Sequence, residues 1–166
     1  VIIGSGLGSK ITDVEGNEYI DYLLGSGPMI TGHAHPEVME AVKNQLENGT
    51  TFFANNEPAI LLAEEISKAM KCVDKVRFSS TGTEATMYAM RAARAFTKKD
   101  KILKFEGGFH GMNDYALQSM MPAHPNEFPT PKSDSGGIPA AVSETMLIAP
   151  FNDIEITQSI IEEHKN

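Results

Sequence analysis

The chain has 166 residues, long enough for one ordinary domain with a sizeable core, and its apolar and charged shares, 41% and 22%, are those of a soluble globular protein. A net charge of −8 with no basic block argues against nucleic acid and against an anionic membrane surface as partners. No run approaches the ~18 apolar residues of a membrane span, and a single cysteine rules out an internal disulfide, which fits the cytoplasm. That cysteine, Cys72, follows an apolar helical run and reads as a buried small hydrophobe. The N-terminus, Val1-Ile2-Ile3-Gly4, lacks the basic and apolar regions of a signal peptide and reads as a chain that starts part-way.

Taken in order, Gly4-Ser5-Gly6-Leu7-Gly8 comes first. It invites a dinucleotide-binding reading, but no strand precedes it and no helix follows, so the context fails. Residues 10–14 and 18–22 are short extended runs joined at Glu15-Gly16-Asn17, a β-hairpin. Residues 23–35 are loop, punctuated by Gly25, Gly27, Pro28 and Gly32. His33 and His35 stand two apart there without a cysteine or carboxylate cluster to complete a metal site, so they read as loop histidines bonded to backbone. Pro36 opens a helix with Val38, Met39, Val42 and Leu46 on one face, closed at Gly49. A connector with Phe52 and Phe53 follows, and Pro58 starts a second helix.

Residues 75–78 read as a buried strand and residues 83–96 as a helix. Between them lies Ser79-Ser80-Thr81-Gly82-Thr83. A strand running through hydroxyls and glycine into a helix leaves backbone N–H groups around one point, a setting for a phosphate. Thr81-Gly82-Thr83-Glu84 equally fits a capping box, and the local residues alone favour the cap. Residues 101–105 form the next strand, Glu106-Gly107-Gly108-Phe109-His110-Gly111 the turn after it, and residues 112–120 a helical stretch. Residues 121–140 are a proline- and glycine-rich loop of about 20 residues, a length that in a compact domain signals function or mobility. Residues 146–149 are a third apolar strand, and Asp153 begins a last helix. Apolar strands alternating with helices predict an α/β fold with a largely parallel sheet, whose ligands bind in loops beyond the strand ends.

Two loops, 79–83 and 106–111, in this order resemble the class III, or ω-type, aminotransferases, pyridoxal-phosphate enzymes of fold type I. The likeness runs nearly the whole length. It includes the opening D-x-x-G-x-x-Y-x-D from Asp13 to Asp21, Gly32-His33-Ala34-His35-Pro36, and Thr81-Gly82-Thr83-Glu84-Ala85. Arg91-Ala92-Ala93-Arg94, the Phe109-His110-Gly111 loop and Pro150-Phe151-Asn152-Asp153 continue it. Each motif is weak alone; six in register are specific. Within the family the sequence is most similar to glutamate-1-semialdehyde aminomutases and their neighbours.

The resemblance implies a cofactor, pyridoxal 5'-phosphate, and places residues around it. Gly82 and Thr83 would hold the phosphate, Thr81 sharing that task in place of the usual Ser. Phe109 would stack on the pyridine ring and His110 would lie beside it. For Arg91 and Arg94 the plain reading stands: solvated or ion-paired helix residues. No metal is implied. Ser80 replaces the usual Asn, Phe109 the Tyr common in aminomutases, and the chain has no Trp where they carry one before G-H-x-H-P. These departures put aminomutase substrate recognition in doubt and point to a more general aminotransferase.

The family's Schiff-base lysine and its pyridine-nitrogen aspartate lie downstream of the P-x-N-D motif and have no match here; Lys101, Lys104 and Lys132 stand in other contexts. No catalytic residue is therefore assigned, and the sequence reads as the front portion of a longer enzyme. On that reading 1–56 is the N-terminal region and 57–166 the first, truncated part of the large cofactor-binding domain. The function implied is transfer of an amino group from an amino acid or amine to a keto acid or aldehyde. Intramolecular transfer, as in an aminomutase, or epimerisation is the alternative within the scaffold. A non-catalytic module derived from the fold is the alternative outside it. The resemblance further implies a homodimer, with Phe52, Phe53 and loop 25–35 as interface candidates, and a gating role for loop 121–140.

Overall fold

The computed structural model describes residues 1–121 and 127–165, which form two compact units, Val1–Asp74 and Lys75–Asn166. The second helix falls in the first unit; the division expected at 56/57 concerns the domain plan of a longer protein and remains a proposal.

In the first unit a three-stranded antiparallel sheet runs in the order β1 (Ile3–Leu7), β2 (Lys10–Asp13), β3 (Glu18–Ile20). The hairpin is where it was expected, and the glycine run, assigned no element from sequence, is strand β1. Gly6 there allows a close approach: a Cβ on it would sit 2.7 Å from the His33 ring. Backbone of Gly8 and His33 pairs in both directions at 2.9 and 2.8 Å. The His33 ring meets the Asp21 carboxylate at 2.7 Å, so its side chain has a carboxylate rather than a backbone partner. Asp13 pins the hairpin turn. Its carboxylate accepts from the Glu15 and Asn17 N–H groups at 3.0 and 2.9 Å and from the Tyr19 hydroxyl at 2.9 Å. Gly16 between them has φ +90°, which a side chain resists.

Two helices follow, α1 (Pro36–Leu46) and α2 (Glu57–Ala69), the latter capped by the Asn56 side chain on Ala59 N–H. Cys72 is exposed rather than buried. It lies beyond the end of α2, in a turn closed by Val73 N–H on Met70 O, and so off the helix's apolar stripe.

The second unit is built on α3 (Gly82–Thr97), β4 (Ile102–Phe105), the short α4 (Ala140–Ser143), β5 (Met146–Ala149) and α5 (Ile154–Glu163). Strands β4 and β5 pair in parallel, Ile102 with Met146 through Phe105 with Ala149. All four β5 residues are buried, and Ile160 of α5 joins Leu147 and Ala149 in the core with Leu103 and Phe128 against them. The expected strand 75–78 is absent: a strand exists by pairing, and no described strand pairs with these residues.

Nor is 112–120 a helix. Asn113 accepts from Ala116 N–H at 3.1 Å, closing one turn, and Gln118 then bridges to Ser133 as extended chain. In loop 121–140, residues 122–126 lie outside the described residues. Residues 129–134 are fastened: Ile148 N–H donates to Pro129 O, Ser119 N–H to Lys132 O, and Met120 N–H to the Asp134 carboxylate. Lys104 is buried beneath this turn, its Nζ donating to Ala116 O at 3.0 Å and Gln118 O at 2.6 Å.

Candidate functional site

Helix α3 begins with the complete capping box that the sequence offered. The Thr81 hydroxyl accepts from Glu84 N–H at 3.2 Å, and the Glu84 carboxylate accepts from Thr81 N–H at 3.1 Å and Ser80 N–H at 2.8 Å. Ala85 N–H is taken by Thr81 O. Of the first-turn donors, the N–H groups of Gly82 and Thr83 have no partner among the described residues. They carry the positive end of a 16-residue helix, and a Cβ on Gly82 would meet nothing within 4 Å. The cap and the anion site, rivals on sequence, thus use different groups of one loop.

Gly82 and Thr83 line a hollow of about 290 Å³ together with Thr86, Phe109, His110 and Gly111. Four of the five residues singled out from sequence therefore meet at one place. Thr81 is not among the lining residues, its hydroxyl being occupied by the cap. Phe109 is 65% exposed, which excludes a core role and leaves its ring face open.

What holds the two loops together was not read from sequence. The Thr83 hydroxyl accepts from Met112 N–H at 3.0 Å, leaving its own proton for a ligand. Thr86, one turn along α3, donates to His110 O at 2.7 Å. The Asn113 amide reaches Thr86 Oγ1 at 3.3 Å and Thr83 O at 3.4 Å. Gly111 has φ +96°, and a Cβ there would lie 2.6 Å from Thr83 Oγ1, so the loops touch through a residue without a side chain. The i, i+3 spacing of Thr83 and Thr86 was the available signal for the second hydroxyl. Nothing in sequence announced the partner at His110 O.

Arg94 corrects its plain reading. It is half-buried, donates to Asp100 O at 2.6 Å and Thr145 Oγ1 at 3.3 Å, and lies 4.3 Å over the Tyr115 ring. It ties the end of α3 to the approaches of β4 and β5. Arg91 is exposed, 5.5 Å over Tyr88. No group of three metal-ligating side chains occurs among the described residues, and no helix there is long and apolar enough to cross a membrane.

The model of the family described as "Aminotransferase class-III" matches residues 1–166, the whole chain. The chain belongs to that family. Among curated relatives, glutamate-1-semialdehyde 2,1-aminomutase of Thermodesulfovibrio yellowstonii is 45% identical over 164 residues, covering 99% of this chain and 38% of the relative. Among solved structures, an omega-transaminase from Sphaerobacter thermophilus superposes with a TM-score of 0.93 at 39% identity, over 99% of this chain and 38% of that one. A structure described as a transaminase with PLP bound superposes at 0.90 with 36% identity over the same shares. The fold is that of these class-III enzymes, fold type I as expected, and the chain spans about 38% of the relatives' length.

Proposed function

We propose that this chain forms the phosphate- and ring-holding part of a pyridoxal 5'-phosphate-dependent class-III aminotransferase. The observation that carries the reading is the pair of N–H groups on Gly82 and Thr83, without partners among the described residues and lining one hollow with the exposed ring of Phe109. The donors fit the cofactor: two N–H groups and a hydroxyl at a helix N-terminus suit a dianionic phosphate, and an open aromatic face suits a pyridine ring. When bound, pyridoxal phosphate supplies an aldehyde that takes up an amino group and a ring that withdraws electrons. Gly82 and Thr83 would fix the phosphate end, Phe109 would cover a ring face and exclude water from it, and His110 would lie beside the ring. Thr81 contributes by holding the helix end in shape.

The whole protein's reaction is then movement of an amino group from an amino acid or amine to a keto acid or aldehyde. A second reading, intramolecular transfer, is supported by the curated aminomutase relative at 45% identity. The proposal includes a homodimer, for which Phe52 and Phe53, both exposed, are suited, and a cytoplasmic location, with which the free thiol of Cys72 accords. The test is the visible absorption of the purified protein carrying the family's lysine. A cofactor band bleached by borohydride is expected; a colourless protein that takes up no cofactor contradicts the reading. Turnover of an amino substrate without added keto acceptor then separates internal from intermolecular transfer.

A further inference from the structure

The hydrogen bonds between the two loops form a chain with a direction. The Asn113 amide donates to Thr86 Oγ1, and the Thr86 hydroxyl, with one proton to give, makes its shorter bond to His110 O at 2.7 Å rather than to Thr83 O at 3.0 Å. Beside it, Met112 N–H donates to Thr83 Oγ1 at 3.0 Å, and the Thr83 hydroxyl proton is left for an anion at the helix end. A hydroxyl that donates to an anion becomes a better acceptor, so an anion at Thr83 strengthens its bond from Met112. Met112 follows directly on Phe109-His110-Gly111, and Gly111 packs against Thr83 without a side chain between. The Phe109 ring is thus positioned by bonds that run to the anion-binding helix.

From this we infer that Thr86, backed by Asn113, is a positioning residue that couples the two halves of the cofactor site: an anion held at Gly82 and Thr83 tightens the binding of an aromatic ring at Phe109, and the reverse by the same factor. The inference rests on the cofactor reading above. Cutting the clasp at Thr86 loosens the ring-holding loop, which the Met112 N–H bond to Thr83 Oγ1 still ties to the helix.

The test uses two separate probes on the whole protein freed of cofactor: inorganic phosphate, and 3-hydroxy-2-methylpyridine, which is the cofactor ring without its phosphate arm and its aldehyde. Each is titrated by NMR alone and with the other saturating. In the wild type, phosphate is expected to tighten ring binding about fivefold, at the lower end of ordinary coupling. In a folded Thr86→Val the coupling falls to about twofold or less, the Met112 bond to Thr83 carrying what remains. Thr86→Ser restores it. Should Thr86→Val fail to fold, Asn113→Ala, which removes the donor behind Thr86, carries the same expectation of reduced coupling. Full coupling in a folded Thr86→Val or Asn113→Ala overturns the inference alone. So does independent binding of both probes to the wild type. A wild type that binds neither probe overturns the inference and the cofactor reading together.

Discussion

At the scale of single residues, the opening motif is explained by its hydrogen bonds. Asp13, the first letter of the opening motif, gathers the turn of the hairpin by accepting from Glu15, Asn17 and Tyr19. The Asn17 side chain above all, with the other donors, holds its carboxyl below the ordinary carboxylate value, against the opposing effect of burial. A depressed carboxyl stabilises the folded state fully above the unfolded value of about 3.9 and loses that contribution as pH falls through its lower folded value. Acid titration followed by hairpin NMR signals is therefore expected to show loosening below that range in the wild type. Asp13→Asn should start less stable and show a shallower acid limb. Lys104 shows the opposite logic. Burial lowers its pKa, and its two carbonyl partners give it a structural task, away from the cofactor chemistry that a family lysine performs.

At the scale of elements, the loop before α3 separates two tasks. Thr81 and Glu84 cap the helix; Gly82 and Thr83 keep their N–H groups for a ligand. Thr81→Ala is accordingly expected to cost about 1 kcal/mol of stability, an ordinary cap loss, with affinity for phosphate changed less than twofold. Denaturant melts and a phosphate titration check both halves. Helices α1, α2, α3 and α5, the hairpin and strands β4 and β5 were legible in sequence because local periodicity and caps determine them; the four-residue α4 was not. The segment 75–78 looked like a strand because Val76 and Phe78 are apolar at alternate positions, yet a strand is made by its neighbours, which local sequence does not show. Residues 112–120 had helix-forming composition, but Asn113 and the bridge from Gln118 to Ser133 turned them out of it. The phosphate loop and the aromatic loop were readable; the hydroxyl of Thr86 on His110 O joins residues 24 apart and belongs to tertiary structure.

At the scale of the whole molecule, two compact units carry many large apolar side chains in the open, Phe53 fully and Phe52 by half among them. Exposed apolar surface of this kind marks an interaction face, and the chain spans about 38% of its relatives' length; the proposed homodimer would cover part of it. Replacing both, Phe52→Ser with Phe53→Ser, should weaken self-association at least tenfold in sedimentation equilibrium while leaving phosphate binding intact, as loss of two large interface anchors predicts. The central claim concerns the second unit by itself: the end of α3 holds a cofactor phosphate. Equilibrium dialysis of pyridoxamine 5'-phosphate against the wild type and Thr83→Ala tests it most directly. Loss of one hydroxyl bond to a charged group, worth about 1.5–3 kcal/mol, should weaken binding roughly ten- to a hundredfold while the melting transition shifts little. Equal affinity of the two proteins would contradict the account.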